Sequence, residues 1–477
     1  MMTRRTKIIA TLGPATDESG LLEKMLLAGV NLVRINLSHG SHEEHALRIQ
    51  KVRKIAQKNR LQIGILVDLQ GPKIRVTKFK NGSVRLTPGE KFVLDVNFDP
   101  KQGTEDCVGV DYKALAQDVG LGDILLLDDG RIMLEVKVIQ GSKIHTEVKL
   151  GGILSDHKGI NLQGGGLSAH PLTLKDKEDM KFATEMGADY LAVSFTRSAE
   201  DIIETRKILE SFGSKAGVIA KIERVEAVET HTMEAIIRSS DAVMVARGDL
   251  GVELGYAELP AIQKKIINKA RLLNCAVITA TQMMESMINS PIPTRAEVSD
   301  VANAVLDGTD AVMLSAETAT GAYPDSVVEA MARICVSAEK QRVNIQAVKL
   351  EQQNFKRLDE AIAKASMYTA NHLLETHAIV ALTESGSTPL WMSRIRSGIP
   401  IYGLSRHPLT LGKMTLLRGV YPIEFDITQY SKEEIDRAVI EKLKSGNLIA
   451  VGDRVIFTQG DVVGDAGHTN SMKILVA

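Results

Sequence analysis

The stretch Ile219-Ala220-Lys221-Ile222-Glu223-Arg224 joins an apolar strand pattern to a base and an acid two residues apart. Side chains alternate between the two faces of a β-strand, so Lys221 and Glu223 share a face. A second apolar run, 241–249, ends with Asp249 just past a glycine, where a strand gives way to a loop. A lysine beside carboxylates from two neighbouring strand ends fits a divalent cation that holds an anionic substrate. A buried Lys–Glu ion pair explains this stretch equally well, so the rest of the chain has to decide.

That stretch belongs to one of eight short β-branched runs that alternate with helical patterns along the chain. Nearly continuous apolar strands with helices between them form parallel sheets, and eight such units favour a closed (β/α)8 TIM barrel over an open doubly wound sheet. Successive runs start about 25 to 35 residues apart, the usual size of a strand–helix unit, except between the third and the fourth. The predicted barrel strands are 7–12, 32–37, 63–68, 190–195, 218–222, 242–246, 276–280 and 311–315.

More than a hundred residues separate the third run from the fourth, which indicates an insertion. The inserted residues, 73–167, contain short alternating runs separated by turn dipeptides such as Asn81-Gly82 and Asp129-Gly130. This pattern predicts a small inserted β-barrel domain. Loops that follow barrel strands lie at the C-terminal mouth, so we expect the insert to act as a lid over that mouth. A passive insertion is the alternative.

The barrel is predicted to comprise residues 1–72 and 168–340, and residues 341–477 to form a C-terminal open α/β sheet domain. Five apolar runs with turn residues between them suggest the strands of this smaller sheet. Within the barrel, Thr294-Arg-Ala-Glu297 is a capping box that predicts the start of a helix running to Leu306.

Composition excludes several classes of protein. The 58 basic and 59 acidic side chains nearly balance, and no basic run is interleaved with aromatic residues, so we expect no nucleic-acid partner. No apolar run is long enough to span a membrane and the start lacks a signal pattern, so we expect a cytoplasmic protein without a membrane partner. Cys107, Cys275 and Cys335 show no paired spacing, which argues against disulfides and a zinc site.

Polar residues gather at the predicted C-terminal ends of the barrel strands, where barrel enzymes keep their active sites. Each of these residues alone has a structural explanation, such as a helix cap or an ion pair between Arg34 and Asp68. Their agreement across several strands favours one shared site. The residues are Arg34, Asn36, Ser38, Asp68, Lys221, Glu223, Asp249, Thr281, Gln282, Ser315 and Glu317.

Several motifs resemble those of the pyruvate kinase family, bacterial type. The resemblance covers the whole chain and includes an inserted and a C-terminal domain in the same order. It implies transfer of the phosphoryl group of phosphoenolpyruvate to ADP, giving pyruvate and ATP, in a homotetramer. The motifs are Arg34-Ile-Asn-Leu-Ser-His-Gly40, Asp68-Leu-Gln-Gly-Pro-Lys-Ile-Arg75, Lys221-Ile-Glu-Arg224, Ala246-Arg-Gly-Asp-Leu-Gly-Val-Glu253, Ala280-Thr-Gln-Met-Met-Glu-Ser-Met287 and Pro293-Thr-Arg-Ala-Glu297.

The resemblance also implies roles for individual residues. Glu223 and Asp249 would bind Mg²⁺, with Mn²⁺ as a substitute, because a hard cation favours carboxylates. Lys221 would stabilise the charge that moves during transfer, and Thr281 would lie on a water-mediated path for the proton. The remaining implied contacts are Arg34, the Arg247-Gly248-Asp249 amides and Ser315 for phosphoenolpyruvate, and Arg75, Lys158, Asn36 and His39 for the nucleotide.

Two departures from the family pattern concern regulation and ions. Relatives that depend on K⁺ use side chains matching Asn36, Ser38 and Asp68, with a threonine at the position of Leu69 and a glutamate at that of Lys73. We therefore expect that K⁺ is not required. In the C-terminal domain, Thr383-Glu384-Ser385-Gly386-Ser387-Thr388 resembles an effector loop, and a simple helix cap is the alternative. Relatives activated by fructose 1,6-bisphosphate usually carry a lysine where Glu384 stands, so we expect a monophosphate, a sugar phosphate or AMP, as the activator.

Two rival functions deserve comparison. A Mg²⁺-dependent aldolase or lyase on a barrel explains Glu223 and Asp249 but not Arg75 and Lys158 beside the insert. A non-catalytic barrel with a metabolite-sensing C-terminal domain would require lost catalytic residues, and the motifs are complete.

Overall fold

The computed structural model describes residues 4–341, 355, 357–461 and 467–477. Its centre is a closed barrel of eight parallel strands, whose order around the barrel follows the order along the chain. The predicted TIM barrel is therefore confirmed, and each predicted strand agrees with the observed one to within two residues. The barrel strands are Lys7–Thr11, Leu32–Asn36, Gly64–Asp68, Tyr190–Val193, Gly217–Ile222, Ala242–Ala246, Ala276–Ala280 and Ala311–Leu314.

Alternation of side chains along the strands builds two apolar layers. On the fifth barrel strand, Val218, Ala220 and Ile222 pack outward against the helices, whereas Ile219 packs into the barrel interior. Lys221 lies two residues beyond Ile219 and therefore shares the interior face, at the C-terminal end of its strand. The apolar pattern thus places a buried lysine at the barrel mouth.

Helices surround the barrel and cover its outward face. The capping box predicted at Thr294 is present: the Thr294 hydroxyl accepts a hydrogen bond from the Glu297 amide, and the helix continues to Asp307. The helices of the barrel domain are Leu21–Leu27, His42–Lys58, Leu174–Glu185, Ala199–Ser211, Thr230–Ser239, Arg247–Leu254, Leu259–Leu272, Arg295–Asp307, Ala316–Ala319 and Pro324–Glu339, with 3-10 turns at Pro14–Asp17, Glu226–Val228 and Glu285–Ile288.

The insert after the third barrel strand is an all-β unit with one short helix, Leu115–Asp118. A six-stranded sheet and a two-stranded sheet enclose its own apolar core, and isolated bridges such as Val76 to Val110 connect the entering chain to them. We call this unit the lid domain. Its strands are Ser83–Leu86, Lys91–Asp95, Cys107–Gly109, Ile124–Leu127, Ile132–Gln140, Lys143–Leu150, Gly152–Ser155 and Ile160–Leu162.

The C-terminal unit is a five-stranded sheet in which the last strand is antiparallel to the rest. A buried ion pair fixes it against the barrel, because Arg394 Nη1 donates to Asp310 Oδ2 at 2.9 Å. Its strands are Thr376–Leu382, Ile401–Ser405, Val420–Glu424, Arg454–Gly460 and Thr469–Val476, and its helices are Leu358–His372, Ser387–Ser393, Pro408–Met414 and Ile435–Ser445, with a 3-10 turn at Ile427–Gln429. Most of the junction predicted near residue 341 lies outside the described residues, and the exact domain limits stay a prediction.

None of the helices in the described ranges has the length and apolarity needed to cross a membrane. Cys107, Cys275 and Cys335 are free cysteines; Cys275 and Cys335 are buried, and Cys107 is half-buried.

Candidate active site

Lys221 stands at the centre of a charged cluster at the barrel mouth. Its ammonium lies 2.9 Å from Glu223 Oε1 and 3.3 Å from Asp68 Oδ1, and it donates to Ser194 Oγ at 2.7 Å. Burial alone would lower the pKa of Lys221, but the charges of Asp68 and Glu223 outweigh burial and raise it. Lys221 is therefore a fixed positive charge, and its side chain is only 11% exposed.

Arg34 completes the cationic side of the cluster. Its Nε donates to Asp68 Oδ2 at 2.7 Å, and Nη1 donates to Thr11 Oγ1 at 3.0 Å. Burial would raise the pKa of Asp68, but Lys221 and Arg34 reverse that effect and lower it. Asp68 is thus an ionised carboxylate that aligns both cations, and the Arg34–Asp68 pair considered from the sequence is present. No hydrogen bond to a described residue engages Arg34 Nη2, which leaves it free to bind a ligand oxygen.

Glu223 and Asp249, the proposed ligands of the divalent cation, are electrostatically coupled. Burial raises the pKa of Glu223, Lys221 lowers it, and the negative charge of Asp249 raises it again, with a net increase. Glu223 Oε2 accepts from the Phe195 amide at 2.7 Å, and Asp249 Oδ1 lies 3.2 Å from Lys73 Nζ. Each carboxylate is paired with an ammonium group, Glu223 with Lys221 and Asp249 with Lys73, so a divalent cation would have to compete with these lysines for both.

The number of carboxylates also suits Mg²⁺. No group of three or more His, Cys, Asp or Glu side chains that could hold a metal occurs among the described residues. Mg²⁺ usually binds through one or two carboxylates and takes its other ligands from water and substrate phosphates. Glu223 and Asp249 therefore suit a hard divalent cation as a pair of carboxylate ligands.

The loop after the seventh barrel strand is held in a strained shape beside this cluster. Thr281 and Gln282 have φ of +64° and +54°, in the left-handed region that ordinary residues rarely adopt. The guanidinium of Arg247 donates to the carbonyl oxygens of Thr281 and Gln282 at 2.7 and 2.9 Å and pairs with Asp300 at 2.7 Å. The Arg247 side chain therefore supports the loop, and a substrate contact through its main chain stays a prediction.

Thr281 also contacts the start of the helix Arg247–Leu254. Its Oγ1 accepts from the Gly248 amide at 2.9 Å and donates to the Ala280 carbonyl at 2.7 Å. The structure thus brings two predicted substrate residues, Gly248 and Thr281, into direct contact. The hydroxyl proton of Thr281 is committed to a backbone carbonyl.

Ser315 follows the eighth barrel strand and has an unused polar atom. Its amide donates to Glu317 Oε2 at 2.6 Å, while its Oγ is buried and has no hydrogen-bond partner among the described residues. A buried hydroxyl without a partner is costly unless a ligand or water satisfies it. The Ser315 hydroxyl can therefore form a hydrogen bond with a ligand or a water molecule.

The residues predicted near the nucleotide fall into two groups. Asn36 Oδ1 accepts from the Ser38 amide at 3.2 Å, and burial, followed by the charges of Arg75, Arg34 and Lys73, lowers the pKa of His39. His39 is thus a neutral ring in a cationic neighbourhood at the end of the second barrel strand.

Arg75 and Lys158 form the second group, on the lid domain. Arg75 Nη1 donates to the His157 carbonyl at 2.9 Å, and Lys158 Nζ pairs with Asp128 Oδ1 at 2.7 Å. The charge of Arg75 contributes to the lowered pKa of His39 at the barrel mouth, whereas the described residues show no contact between Lys158 and the Lys221 cluster.

The predicted effector loop lies between a strand and a helix of the C-terminal domain, where it lines a cavity of about 40 Å³. Gly386 N donates to Thr383 Oγ1 at 2.9 Å, Ser385 and Ser387 share a hydrogen bond of 2.9 Å, and Thr388 bonds Thr469 at 2.7 Å. Glu384 pairs with His407 and lies 3.5 Å from Arg406 Nε.

Sequence analysis missed two residues of the cluster, Thr11 and Ser194. They stand at the ends of the first and the fourth barrel strands, the two strands from which no candidate was taken. Ser194 Oγ donates to the Leu69 carbonyl at 2.7 Å and accepts from Lys221, while Thr11 Oγ1 accepts from Arg34. Applying the strand-end rule to all eight strands would have found both.

A (β/α)8 barrel with cations and paired carboxylates at its mouth, beside a β lid, defines an enzyme that acts on a small anionic substrate with a divalent cation. Family comparison agrees: the pyruvate kinase barrel domain matches residues 3–328, and the pyruvate kinase alpha/beta domain matches residues 360–475. The chain belongs to the pyruvate kinase family. It is thus a phosphotransferase whose substrates are phosphoenolpyruvate and ADP and whose products are pyruvate and ATP, and the family generally requires a divalent metal.

Full-length relatives support this assignment. The chain is 56% identical over 474 residues to pyruvate kinase II of Salmonella typhimurium, with 99% of this chain and 98% of that protein covered. The same coverage applies to pyruvate kinases of Buchnera aphidicola subsp. Schizaphis graminum, 55% identical over 474 residues, and Haemophilus influenzae, 51% identical over 475 residues.

Proposed function

We propose that phosphoryl transfer takes place at the cluster around Lys221, with Arg34, Glu223 and Asp249 as its other principal members. The observation that carries this proposal is the position of the Lys221 ammonium, 2.9 Å from Glu223 and 3.3 Å from Asp68 in a buried site. A fixed positive charge of this kind stabilises negative charge that develops during a reaction, at no cost of reorganisation.

Arg34 binds the phosphoryl oxygens in this proposal. Asp68 and Thr11 hold the guanidinium from one side, so its orientation is set before the substrate arrives. A planar fork with free N–H groups matches phosphoryl oxygens better than a lysine does. The substrate carboxylate is received by the amides around Gly248 and Asp249 at the start of the helix Arg247–Leu254.

Proton delivery to the enolate carbon passes close to Thr281. The Thr281 hydroxyl donates to the Ala280 carbonyl at 2.7 Å, and an unperturbed hydroxyl is a poor acid. We therefore assign Thr281 the role of holding a water molecule, which carries the proton, and not that of a direct donor. The unpartnered Ser315 hydroxyl provides a second polar contact for substrate or water.

Mg²⁺, with Mn²⁺ as a substitute, is the proposed divalent cation, and Glu223 and Asp249 are its ligands. When bound, it neutralises the charge on the substrate oxygens and orients them. On the nucleotide side, Arg75, Lys158, Asn36 and His39 are the proposed contacts, and Lys158 reaches the phosphates when the lid domain closes.

A coupled assay of pyruvate formation tests the proposal directly. Phosphoenolpyruvate with ADP and Mg²⁺ should give pyruvate and ATP in equal amounts, and omission of ADP should stop pyruvate formation. Pyruvate formed without ADP would support a lyase or phosphatase. Matched variants of the cluster, Arg34→Gln and the exposed control Arg437→Gln, should differ by orders of magnitude in turnover.

We further propose that K⁺ is not required. Arg34 pairs with Asp68, and the Lys73 ammonium lies 3.2 Å from Asp249, from where its flexible side chain can turn towards Asn36, Ser38 and Asp68. Two cations about 4 Å apart repel by ~4 kcal/mol at an effective dielectric of 20. A charged Lys73 ammonium and a bound K⁺ should therefore exclude each other.

Activity in tetramethylammonium buffer with graded KCl tests this part. The unmodified enzyme should be active without K⁺ and gain little from it, whereas Lys73→Glu should lose activity that K⁺ restores. Because Lys73 also contacts Asp249, Lys73→Met serves as the control: it removes the charge without supplying a new ligand, and K⁺ should not rescue it. Strong K⁺ activation of the unmodified enzyme would contradict the proposal.

We propose allosteric activation by a monophosphate, a sugar phosphate or AMP, at the effector loop. The cavity beside the loop accommodates a phosphate group while the attached sugar or nucleoside lies outside it, and Glu384 engages both Arg406 and His407. A site with so small a surplus of positive charge suits one phosphate better than two.

Titration of effectors at sub-saturating phosphoenolpyruvate tests the site. Ribose 5-phosphate, glucose 6-phosphate or AMP should lower the KM for phosphoenolpyruvate more than fructose 1,6-bisphosphate does, and Glu384→Lys should shift the preference towards the bisphosphate. Strongest activation of the unmodified enzyme by the bisphosphate would refute this proposal.

We also propose a homotetramer in the cytoplasm, on the family resemblance and on the glycolytic reaction. Light scattering of the purified enzyme should give a mass of four chains, and a monomer or dimer would contradict it.

A further inference from the structure

A cleft of about 610 Å³ lies between the barrel and the C-terminal domain, at the end of the barrel opposite the active site. Its barrel side consists of residues that precede strands or end helices, such as Arg271 and Asp310, and its C-terminal side includes Arg396 and Arg418. No residue of the effector-loop cavity belongs to it. We call it the arginine cleft. Its volume falls in the range of small-molecule sites.

The lining of the arginine cleft has a surplus of positive charge. Five arginines and Lys340 face two carboxylates, Asp310 and Glu339. Both carboxylates are already occupied: Asp310 pairs with Arg394, and Glu339 accepts from the Arg5 and Thr6 amides at 2.9 and 2.6 Å. Glu339 also pairs with Arg5 at 3.6 Å and with Arg418 at 3.8 Å, so Arg271 and Arg396 are the arginines of the lining without an ion pair among the described residues.

Helix ends explain some of these arginines. Arg418 Nη1 donates to the carbonyl oxygens of Val305 and Thr309 at 3.2 and 3.0 Å, and Arg5 Nη2 donates to the Glu339 carbonyl at 2.8 Å. Arginines commonly satisfy C-terminal helix carbonyls in this way. Arg418 and Arg5 thus have a structural role that requires no ligand.

Arg271 and Arg396 are different. Across the described ranges Arg271 makes no side-chain hydrogen bond and no ion pair, and Arg396 donates a single bond from Nη2, to the Leu306 carbonyl at 2.7 Å. Burial and then the charges of Arg271, Arg418 and Arg5 lower the pKa of Arg396 to about 10, so these guanidinium groups repel one another. Arg271 is half-buried and Arg396 is exposed, and an anion bound between the two would relieve the repulsion and use their free donors.

We propose that the arginine cleft binds a small phosphorylated metabolite through Arg271 and Arg396. Free guanidinium donors from two arginines match the three oxygens and the double charge of a phosphate monoester. The cleft has room for a sugar or nucleoside attached to that phosphate. Arg271 ends a barrel helix and Arg396 belongs to the C-terminal domain, so the ligand bridges the two units.

Binding to the full-length enzyme tests the proposal. Isothermal titration uses inorganic phosphate, glucose 6-phosphate and AMP, with glucose and adenosine as uncharged controls, and compares the unmodified enzyme with the double variant Arg271→Gln/Arg396→Gln. The double variant should lose one binding event or bind at least tenfold more weakly. Comparison of glucose 6-phosphate with AMP shows whether the phosphate of the ligand is attached to a sugar alone or to a nucleoside.

The control variant Arg238→Gln/Arg437→Gln removes the same charge from exposed ion pairs elsewhere and should bind like the unmodified enzyme. A second control, Thr383→Ala in the effector loop, should leave binding at the arginine cleft intact. Equal binding by the unmodified enzyme and the cleft variant would overturn the proposal, as would an equal loss in the Arg238/Arg437 control.

Chemical protection provides a measurement on the unmodified enzyme, which does not depend on the folding of variants. Phenylglyoxal should modify Arg271 and Arg396, and glucose 6-phosphate or AMP should slow their modification severalfold while leaving Arg437 unaffected. Modification rates that no phosphorylated probe changes would refute the site.

Discussion

Ser194 should be a positioning residue for Lys221, and removing its hydroxyl offers a sharp test of the proposed active site. Ser194 Oγ accepts from the Lys221 ammonium at 2.7 Å and donates to the Leu69 carbonyl at 2.7 Å, so the serine is fixed at both ends. A hydrogen bond to a charged group contributes about 1.5–3 kcal/mol. If all of that acted in the transition state, Ser194→Ala would lower kcat by about 10- to 150-fold.

The structure favours the lower end of that range. Lys221 keeps Glu223 and Asp68 as partners in the variant, so its charge stays in the site and only its orientation loosens. We expect kcat to fall about 10-fold, while the KM for phosphoenolpyruvate changes less than about threefold, because the lost contact acts mainly on the moving charge.

The matched control is Thr196→Val. Thr196 is in the same turn, is fully buried, and its hydroxyl donates to the Val193 carbonyl at 3.1 Å without touching Lys221. Steady-state kinetics and thermal unfolding of both variants separate the two roles. Similar losses of kcat in both variants, or a kcat for Ser194→Ala within twofold of the unmodified enzyme, would refute the reasoning.

Three further predictions follow from buried charges. Lys221→Met should lower kcat by about a thousandfold with a much smaller change in phosphoenolpyruvate affinity, and equal losses in steady-state kinetics and equilibrium binding would count against its role. Asp249→Ala should abolish Mg²⁺-dependent turnover, which a Mg²⁺ titration checks; near-normal activity at ordinary metal concentration would remove Asp249 from the ligand set. Burial raises the pKa of Asp189 to about 7, and its Oδ2 accepts from the Ile65 amide at 2.7 Å. The folded protein therefore keeps this proton between about pH 4 and pH 7, where the unfolded chain has lost it, so the stability that this group contributes falls as the pH rises through that range. Asp189→Asn, which keeps the acceptor, should be more stable than the unmodified protein at pH 8 by up to ~4 kcal/mol and should flatten the dependence of Tm on pH. An unchanged dependence of Tm on pH would contradict this.

The barrel could be predicted because its signal is local and repeated. Each barrel strand is a short apolar run buried on both faces, and the helix signals between strands, such as the capping box at Thr294, survive in the folded protein. The C-terminal strands were also predicted as short apolar runs, although the last of them, Thr469–Val476, is only partly buried. The way in which the lid strands pair was not predicted, because antiparallel pairing depends on turns and cross-strand contacts far apart in sequence.

The sequence named the residues of the candidate cluster and two of its ion pairs, Lys221–Glu223 and Arg34–Asp68, but not its other contacts. Strand-end positions identified Lys221, Glu223 and Asp68, and the parallel sheet brought them together. The direction in which each side chain points could not be predicted from the sequence. The sequence suggested Arg247 as a substrate contact through its main chain, but nothing in it indicated that the guanidinium would support the strained seventh loop.

Lys73 illustrates the same limit for a long, flexible side chain. Its sequence position suggested that its charge would stand in the monovalent-cation region, beside Asn36, Ser38 and Asp68. In the structure its ammonium contacts Asp249, one of the proposed Mg²⁺ ligands, at 3.2 Å. Four rotatable bonds let a lysine reach several carboxylates, and the choice depends on charges that only the folded chain brings together.

The contact between Lys73 and Asp249 also bears on how the binding of Mg²⁺ and that of phosphoenolpyruvate affect each other. Three cationic and three anionic side chains meet at the barrel mouth, so the site is close to neutral without ligands. A divalent cation alone would leave it positively charged, and a phosphorylated substrate alone would leave it negatively charged, whereas the two together restore the balance. We therefore expect Mg²⁺ and phosphoenolpyruvate each to increase the affinity of the other, with Lys73 released from Asp249 as they bind. The six side chains are Arg34, Lys73, Lys221, Asp68, Glu223 and Asp249.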